Sequence, residues 1–242
     1  MKLKVIDTGS DGNCFLLKPN NGHAMLIECG ARSWEVMKKG LNYKFDNICA
    51  CLISHEHKDH CVHAERLTNY GIELFSTFET LQFIRVSNQT AIKPGRQFEI
   101  CNFKIVSFEI IHDAFNPVGF LINHPECGTI CFATDTRDLS YDFPNVDHWI
   151  IEANYSEPKM RDNIEHEILN GFLANRIYNN HMSIETTCKV LKKNASIRTK
   201  TVTLIHMSED NGDEKEFEKM VMSAIGIKPV VAKKGTIVEL FK

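Results

Sequence analysis

No stretch of this 242-residue chain approaches the roughly 18–20 consecutive apolar residues that a membrane-spanning helix needs. Basic charge is not in excess either. The chain has 28 Lys and Arg against 31 Asp and Glu, a formal net charge of −3, so no global field advertises a polyanionic partner. The nine cysteines are odd in number and scattered, with no C-x-x-C pair, which argues against a disulfide framework or a thiolate zinc site. The first residues, Met1-Lys2-Leu3-Lys4-Val5, alternate polar and apolar and do not resemble a secretory signal. No linker, low-complexity tract or internal repeat stands out. These absences predict one domain over 1–242, in a reducing cytoplasmic setting, away from membranes and with its cysteines mostly packed as small core residues.

With 43% hydrophobic and 24% charged residues, the chain can bury a substantial core. Short alternating or apolar runs predict strands over 2–7, 14–18, 24–28, 48–53, 97–101, 103–111, 119–123, 129–134, 149–152 and 201–206. Helical patterns fall over 33–40, 59–68, 165–173, 184–193 and 213–225, and 229–241 reads as a closing strand or hairpin. Two β-rich halves flanked by helices suggest a layered α/β sandwich.

The densest signal is His55-Glu56-His57-Lys58-Asp59-His60, directly after the apolar run 48–53. Residues i and i+2 share a side of an extended segment but not of a helix. His55 and His57 can therefore aim at one ion only where the chain is still extended. Asp59 and His60 lie where it turns into the next element, so they aim elsewhere. Such a loop could serve two metal ions about 3.5–4 Å apart, the spacing of hydrolytic two-metal sites. Two ions need further ligands, and three ligand-type residues also end strand-like runs: His112, Asp135 and His206. A carboxylate such as Asp135 can bridge two cations. Any one of these alone would be an ordinary core or surface residue; it is the shared context that singles them out. His23, His63, His124, His148 and His166 lack it. Cys61, beside His60, is expected to pack rather than ligate.

With these residues in place the chain resembles the metallo-β-lactamase superfamily, whose signature is His-x-His-x-Asp-His followed by a lone His, an Asp and a final His. The resemblance implies a four-layer αββα sandwich. It implies His55, His57 and His112 on one metal, Asp59, His60 and His206 on the other, and Asp135 between them. A narrower likeness covers nearly the whole chain. Residues 8–14, His112-Asp113-Ala114 with 117–120, Ala133-Thr134-Asp135-Thr136, Glu152-Ala153-Asn154-Tyr155, His181-Met182-Ser183 and His206-Met207-Ser208 with Asn211 resemble the YycJ/WalJ-like branch. That branch contains DNA exonucleases and is related to ribonuclease Z. By the same resemblance, Glu152 and His181 match a Glu–His pair that protonates the leaving oxygen. An imidazole beside the metals suits that work, since it titrates near neutral pH. Ser10, Asn13, Ser208 and Asn211 fall in the branch motifs and are candidate substrate contacts. Arg176, near His181 in sequence, is a candidate for a phosphate.

The chain thus reads as a dinuclear metal-dependent phosphodiesterase holding two divalent ions. The histidine-rich ligand set suggests Zn²⁺, with Mn²⁺ also compatible. A shared hydroxide would attack phosphorus, oriented by Asp59, while His181 and Glu152 serve the leaving group. DNA degraded by an exonuclease is the first substrate, a cyclic nucleotide the alternative, and β-lactam or thioester hydrolysis a third reading. Sixteen residues separate Asp135 from Glu152, too few for the long RNA-clamping arm of ribonuclease Z. A groove for a polymer would come from the core surface or from a homodimer. The one dense basic run, Lys189-Val190-Leu191-Lys192-Lys193 continuing to Arg198 and Lys200, reads first as a solvated helix face and second as a phosphate contact. The acidic run 209–218 fits a helix start.

Overall fold

The computed structural model describes all 242 residues. The chain first lays down β1 (Lys2–Asp7), β2 (Cys14–Lys18), β3 (Ala24–Ile27), α1 (Trp34–Gly40), β4 (Ile48–Leu52), α2 (Lys58–Cys61), α3 (Ala64–Asn69), β5 (Glu73–Thr77), α4 (Phe78–Ile84) and β6 (Gln89–Ile92). It then forms β7 (Gln97–Ile100), β8 (Phe103–Glu109), β9 (Val118–His124), β10 (Gly128–Ala133), β11 (His148–Glu152), α5 (Glu157–Glu165), α6 (Gly171–Asn180), α7 (Ile184–Asn194), β12 (Thr201–Ile205), α8 (Glu214–Ile225), β13 (Val230–Val231) and β14 (Ile237–Glu239).

The strands make two seven-stranded sheets, ordered β14-β1-β2-β3-β4-β5-β6 and β13-β12-β11-β10-β9-β8-β7. In the first, β14 through β3 pair antiparallel and β3 through β6 parallel. In the second, β7 through β10 pair antiparallel and β10 through β13 parallel. The two halves therefore repeat one pairing plan that the sequence does not display. Pairing is a backbone property, and different apolar side chains satisfy it equally well.

Alternation along the strands sends Leu3, Val5, Phe15, Leu17, Met25 and Ile27 inward from the first sheet. Phe103, Ile105, Phe120, Ile122, Ile130 and Phe132 meet them from the second in one buried cluster. A second cluster joins the outer face of the second sheet to α7 and α8 through Trp149, Ile151, Leu191, Phe217 and Val221. A third joins the first sheet to α1 and α3 through Leu26, Met37, Ala64 and Leu67. Helix, sheet, sheet, helix is the expected αββα sandwich. Parallel strands β4 and β11 are apolar on both sides because both faces are covered.

Four local expectations change. The predicted helix 59–68 is two short helices, because His63 turns back to the first sheet: its amide donates to Cys29 O and its ring nitrogen Nε2 lies 2.9 Å from Ala31 O. The predicted helix 165–173 falls on the break between α5 and α6. There Glu167 takes a left-handed φ of 58°, and Asn170 caps α6 by accepting the Leu173 amide. Residues 229–241 do not form a hairpin: β13 closes the second sheet and β14 the first. The elements β5, α4 and β6 carry too weak a period in Glu73–Ile92 to be read from sequence.

Candidate metal centre

The site lies where β4, β8, β10, β11 and β12 end. His55 follows β4 and is fully buried, its Nδ1 2.8 Å from Ser54 Oγ, which leaves Nε2 as the free nitrogen. His57 is extended (φ −61°, ψ 144°) and begins α2, so Asp59 and His60 sit in that helix's first turn. The turn presses onto the first sheet. Asn13 N–H donates to Asp59 O and Cys29 N–H to His60 O, each at 2.7 Å. A Cβ on Gly30 would overlap the backbone of Asp59 and His60, so glycine is needed for this approach. From the second sheet come His112, Asp135 and His206. Asp135 and His206 hold left-handed φ values of 49° and 57°, which non-glycine residues adopt only when their surroundings impose it.

Three donor groups result, the third, Asp135, Glu152, His181 and His206, overlapping the second. His55, His57 and His112 can offer nitrogens within 4.8 Å of one another, and so can Asp59, His60, Asp135 and His206 with their donor atoms. Asp135 Oδ2 lies between these first two, 3.2 Å from His60 Nε2, 3.7 Å from His112 Nε2 and 3.8 Å from His55 Nε2. Within the chain, His55 Nε2 and His206 Nε2 are buried without a hydrogen-bond partner, an arrangement that costs energy unless another group fills it. Burial, with the neighbouring His60, holds the His55 imidazolium well below its ordinary range. Burial also lowers His206, but Asp135, Asp59 and Glu152 outweigh it and push it up to about 10. His60 is raised in the same way, by Asp135 and Glu28 against burial. Carboxylates that draw protons onto buried imidazoles in this manner are a donor set suited to a cation, which would displace those protons on binding.

The neighbouring shell was only partly visible in the sequence. Glu28 is buried, has φ 63°, accepts the Ser54 amide and lies 3.6 Å from His60 Nδ1. Asn154 Nδ2 donates to His206 O at 2.9 Å and lies 3.0 Å from His206 Nδ1. Asn180 O is 3.3 Å from His112 Nδ1, and its side chain accepts the Asp113 amide. Thr8 Oγ1 accepts the His206 amide. Asp7, buried, is held by Arg32 through its guanidinium and its amide. Glu28, Asn154, Asn180, Thr8 and Asp7 each lie at or just past the end of a strand or helix, which is the one signal that could have found them.

Glu152 is fully buried at the end of β11. Its Oε1 lies 2.7 Å from His181 Nδ1 and 3.4 Å from His206 Nδ1, and its Oε2 accepts the Thr136 amide at 2.9 Å. Burial lowers His181, but the Glu152 charge and hydrogen bond outweigh it and raise it. His181 lines a cavity of about 450 Å³ with His57, Asp59, His112, Asp135 and His206. Ser10, Arg176, Ser208 and Asn211 line it too. Arg176 sits 3.7 Å from Asp113, and the Asn211 side chain is tied to Asn163 and Ser208. Asn13 does not reach the cavity. It is fully buried beneath, clamping Gly9 through both ends of its amide and lying 3.2 Å from His60 Nε2. Cys61 points away, donating to Glu56 O, and all nine cysteines are free. His63, His124 and His148 are buried away from these groups, and His166 pairs with Asp162 on the surface.

A family model described as a β-lactamase superfamily domain matches residues 23–207. The chain belongs to the metallo-β-lactamase superfamily. This superfamily member is similar to the exodeoxyribonuclease WalJ of Streptococcus pneumoniae, with 25% identity over 243 residues, covering 91% of this chain and 86% of the relative. Among solved structures it is similar to the metallo-β-lactamase fold protein YhfI of Bacillus subtilis, with a TM-score of 0.75, 18% identity, and 98% and 99% of the two chains covered. Zn²⁺-bound PqqB of Methylobacterium extorquens gives a TM-score of 0.76 at 12% identity, covering 99% and 100%. These two likenesses establish the fold. The chain is a metallo-β-lactamase-fold hydrolase.

Proposed function

We propose that residues 1–242 act as one hydrolase domain that cleaves phosphodiester bonds in DNA from an end. The observation that carries this reading is the Glu152–His181 pair, 2.7 Å apart, with His181 on the wall of the metal-type cavity and Glu152 buried behind it. Thioester hydrolysis expels a thiolate that needs no such pair, whereas an alkoxide leaving from phosphorus needs a proton. The similarity to WalJ supports DNA as the polymer. Free cysteines support a reducing, cytoplasmic setting.

His55, His57 and His112 would hold one ion, Asp59, His60 and His206 a second, with Asp135 shared between them. The imidazole-rich set favours zinc, and manganese also fits. Two such ions would supply an activated water at neutral pH and offset charge on the phosphoryl oxygens. The chain's own residues do the rest. Ser54, Asn180 and Asn154 fix the rings of His55, His112 and His206 through the nitrogens turned away from the cavity. Asp59, partly open to the cavity, would orient the attacking water. Glu152 accepts from His181 Nδ1–H and keeps the ring charged, so that Nε2–H can be given to the departing oxygen. Arg176 and Ser208 stand at the wall for the non-bridging oxygens.

A cavity of about 450 Å³ would also suit one nucleotide, which favours a cyclic mononucleotide as the second reading. The test is to load the protein with Zn²⁺ or Mn²⁺ and supply end-labelled single- and double-stranded DNA, RNA and a panel of cyclic mononucleotides. DNA shortened from its ends is expected, and His57→Ala should abolish it. Cleavage of the cyclic compounds alone would overturn the nuclease reading.

A further inference from the structure

A second cavity, of about 420 Å³, lies between α6, α7 and the loop after β10. Its wall contains Arg137, Tyr155, Tyr178, Lys189 and Lys193. Tyr155 is the informative member. It follows Glu152 by three residues, where the backbone bridges to Ser183 at the start of α7, and it is only 3% exposed. Its ring is packed, while its hydroxyl is in no hydrogen bond within the protein and is not sealed from the cavity it lines. Arg137 and Lys189 are likewise in no ion pair, and the Arg137 guanidinium only stacks over the Tyr178 ring, 5.4 Å from its centre. A guanidinium and an ammonium outside any ion pair and a free phenol thus share one concave wall. Lys193 adds a further cation, shared with Asp142 at 2.7 Å.

Two carboxylates lie in the same wall. Asp138 accepts the Leu139 amide at 2.7 Å. Glu157 is 3.5 Å from Ser183 Oγ and 4.0 Å from Arg161. Their contacts are partial, so the two carboxylates remain in the wall against the three cations Arg137, Lys189 and Lys193, which leaves its balance basic by one charge. This also gives a role to the basic run that begins at Lys189, which the metal centre leaves unused.

We propose that this cavity is an anion site for a phosphate group, held by Arg137, Lys189 and the Tyr155 hydroxyl. A guanidinium, an ammonium and a phenol together supply charge and directed hydrogen bonds to a tetrahedral oxyanion. The phosphate could belong to the substrate strand beyond the cleaved bond, a case that rests on the nuclease reading, or to a free nucleotide or inorganic phosphate.

The test is calorimetric titration of inorganic phosphate and of thymidine 5′-monophosphate into the metal-loaded protein. It is repeated with R137A/K189A and, separately, Tyr155→Phe, which keeps the buried ring. One binding event weakened about tenfold or more in the double variant, and weakened in Tyr155→Phe, is expected. Binding curves unchanged in both variants overturn the site. KM values for oligodeoxynucleotides of increasing length then separate the sources. A KM raised only for the longer oligomers assigns the phosphate to the strand, and an unchanged KM with lost phosphate binding assigns it to a free anion. Because binding is read without turnover, failure of the nuclease reading leaves this test intact.

Discussion

Replacing His181 by glutamine tests the leaving-group assignment without leaving a hole. Glutamine can still donate an amide hydrogen to Glu152, which is buried and otherwise held by the Thr136 amide. It cannot give up a proton. General acid catalysis contributes about 10²–10⁴-fold. At 1.36 kcal/mol per decade, H181Q should therefore raise the barrier by about 2.7–5.4 kcal/mol. The loss should fall on kcat, since His181 is one wall residue among many and is assigned to neither ion, although it stands in a donor group with Asp135, Glu152 and His206, so metal content is measured alongside. The assay compares DNA with bis(4-nitrophenyl) phosphate, whose leaving group departs without a proton. H181Q should lose the full factor on DNA and much less on the activated ester, with metal content unchanged. An equal loss on both substrates would refute the acid role, because it would place the defect in attack or in metal binding.

His57→Ala should lower zinc content below that of the parent protein, read by elemental analysis, and chelation of the parent should lower its melting temperature in a zinc-reversible way; unchanged values for both would sink the ligand assignment. Gly30→Ala should destabilise the chain by on the order of 3 kcal/mol in urea, because the new methyl meets the backbone of Asp59 and His60, neither of which can swing aside. Asp147 supplies the pH dependence. Burial raises its pKa, but the Thr129 amide, Arg198 and Lys200 outweigh burial and hold it below its ordinary value. Its contribution is therefore complete above the unfolded pKa of roughly 4 and is lost as pH falls through the lower folded value. Asp147→Asn should cost about 1–2 kcal/mol at pH 7, toward the low side because Arg198 is half exposed, and the gap from the parent should close toward pH 2. A gap independent of pH would contradict the pairing.

What could be read in advance divides by how local the signal is. His55 to His60 is contiguous, and its i, i+2 spacing already specified an extended segment running into a turn, which is the conformation found at His57. His112, Asp135 and His206 were legible because each ends an apolar run. Glu28 ends one too, but a single carboxylate on a strand has no partner in sequence, and its closeness to His60 exists only once β3 and β4 pair. Asn13 was misplaced for the opposite reason. A Gly-rich polar stretch looks like an exposed turn, yet here it is pinned under α2, and its amide is consumed internally. The stretch 159–193 reads as helical, but the bounds of α6 were misplaced to 165–173 because its wall toward the cavity mixes Leu173, Arg176 and Ile177, blurring the apolar stripe that marks a helix packed on a core.

The donors come from opposite sheets: His55, His57, Asp59 and His60 follow a strand of the first, and His112, Asp135 and His206 follow strands of the second. An ion bound among them would therefore be a crosslink as well as a reagent, fastening two leaves of the sandwich along one edge while Phe15 and Phe132 hold them together at the interior. Loss of the ions should loosen that edge first. Amide hydrogen exchange would then speed up in the loops after β4, β8, β10 and β12, while the strands behind them stay slow. For this chain, metal supply would set mechanical coherence as well as turnover, and a metal-starved population would be the one most open to proteolysis at the loops that carry the chemistry.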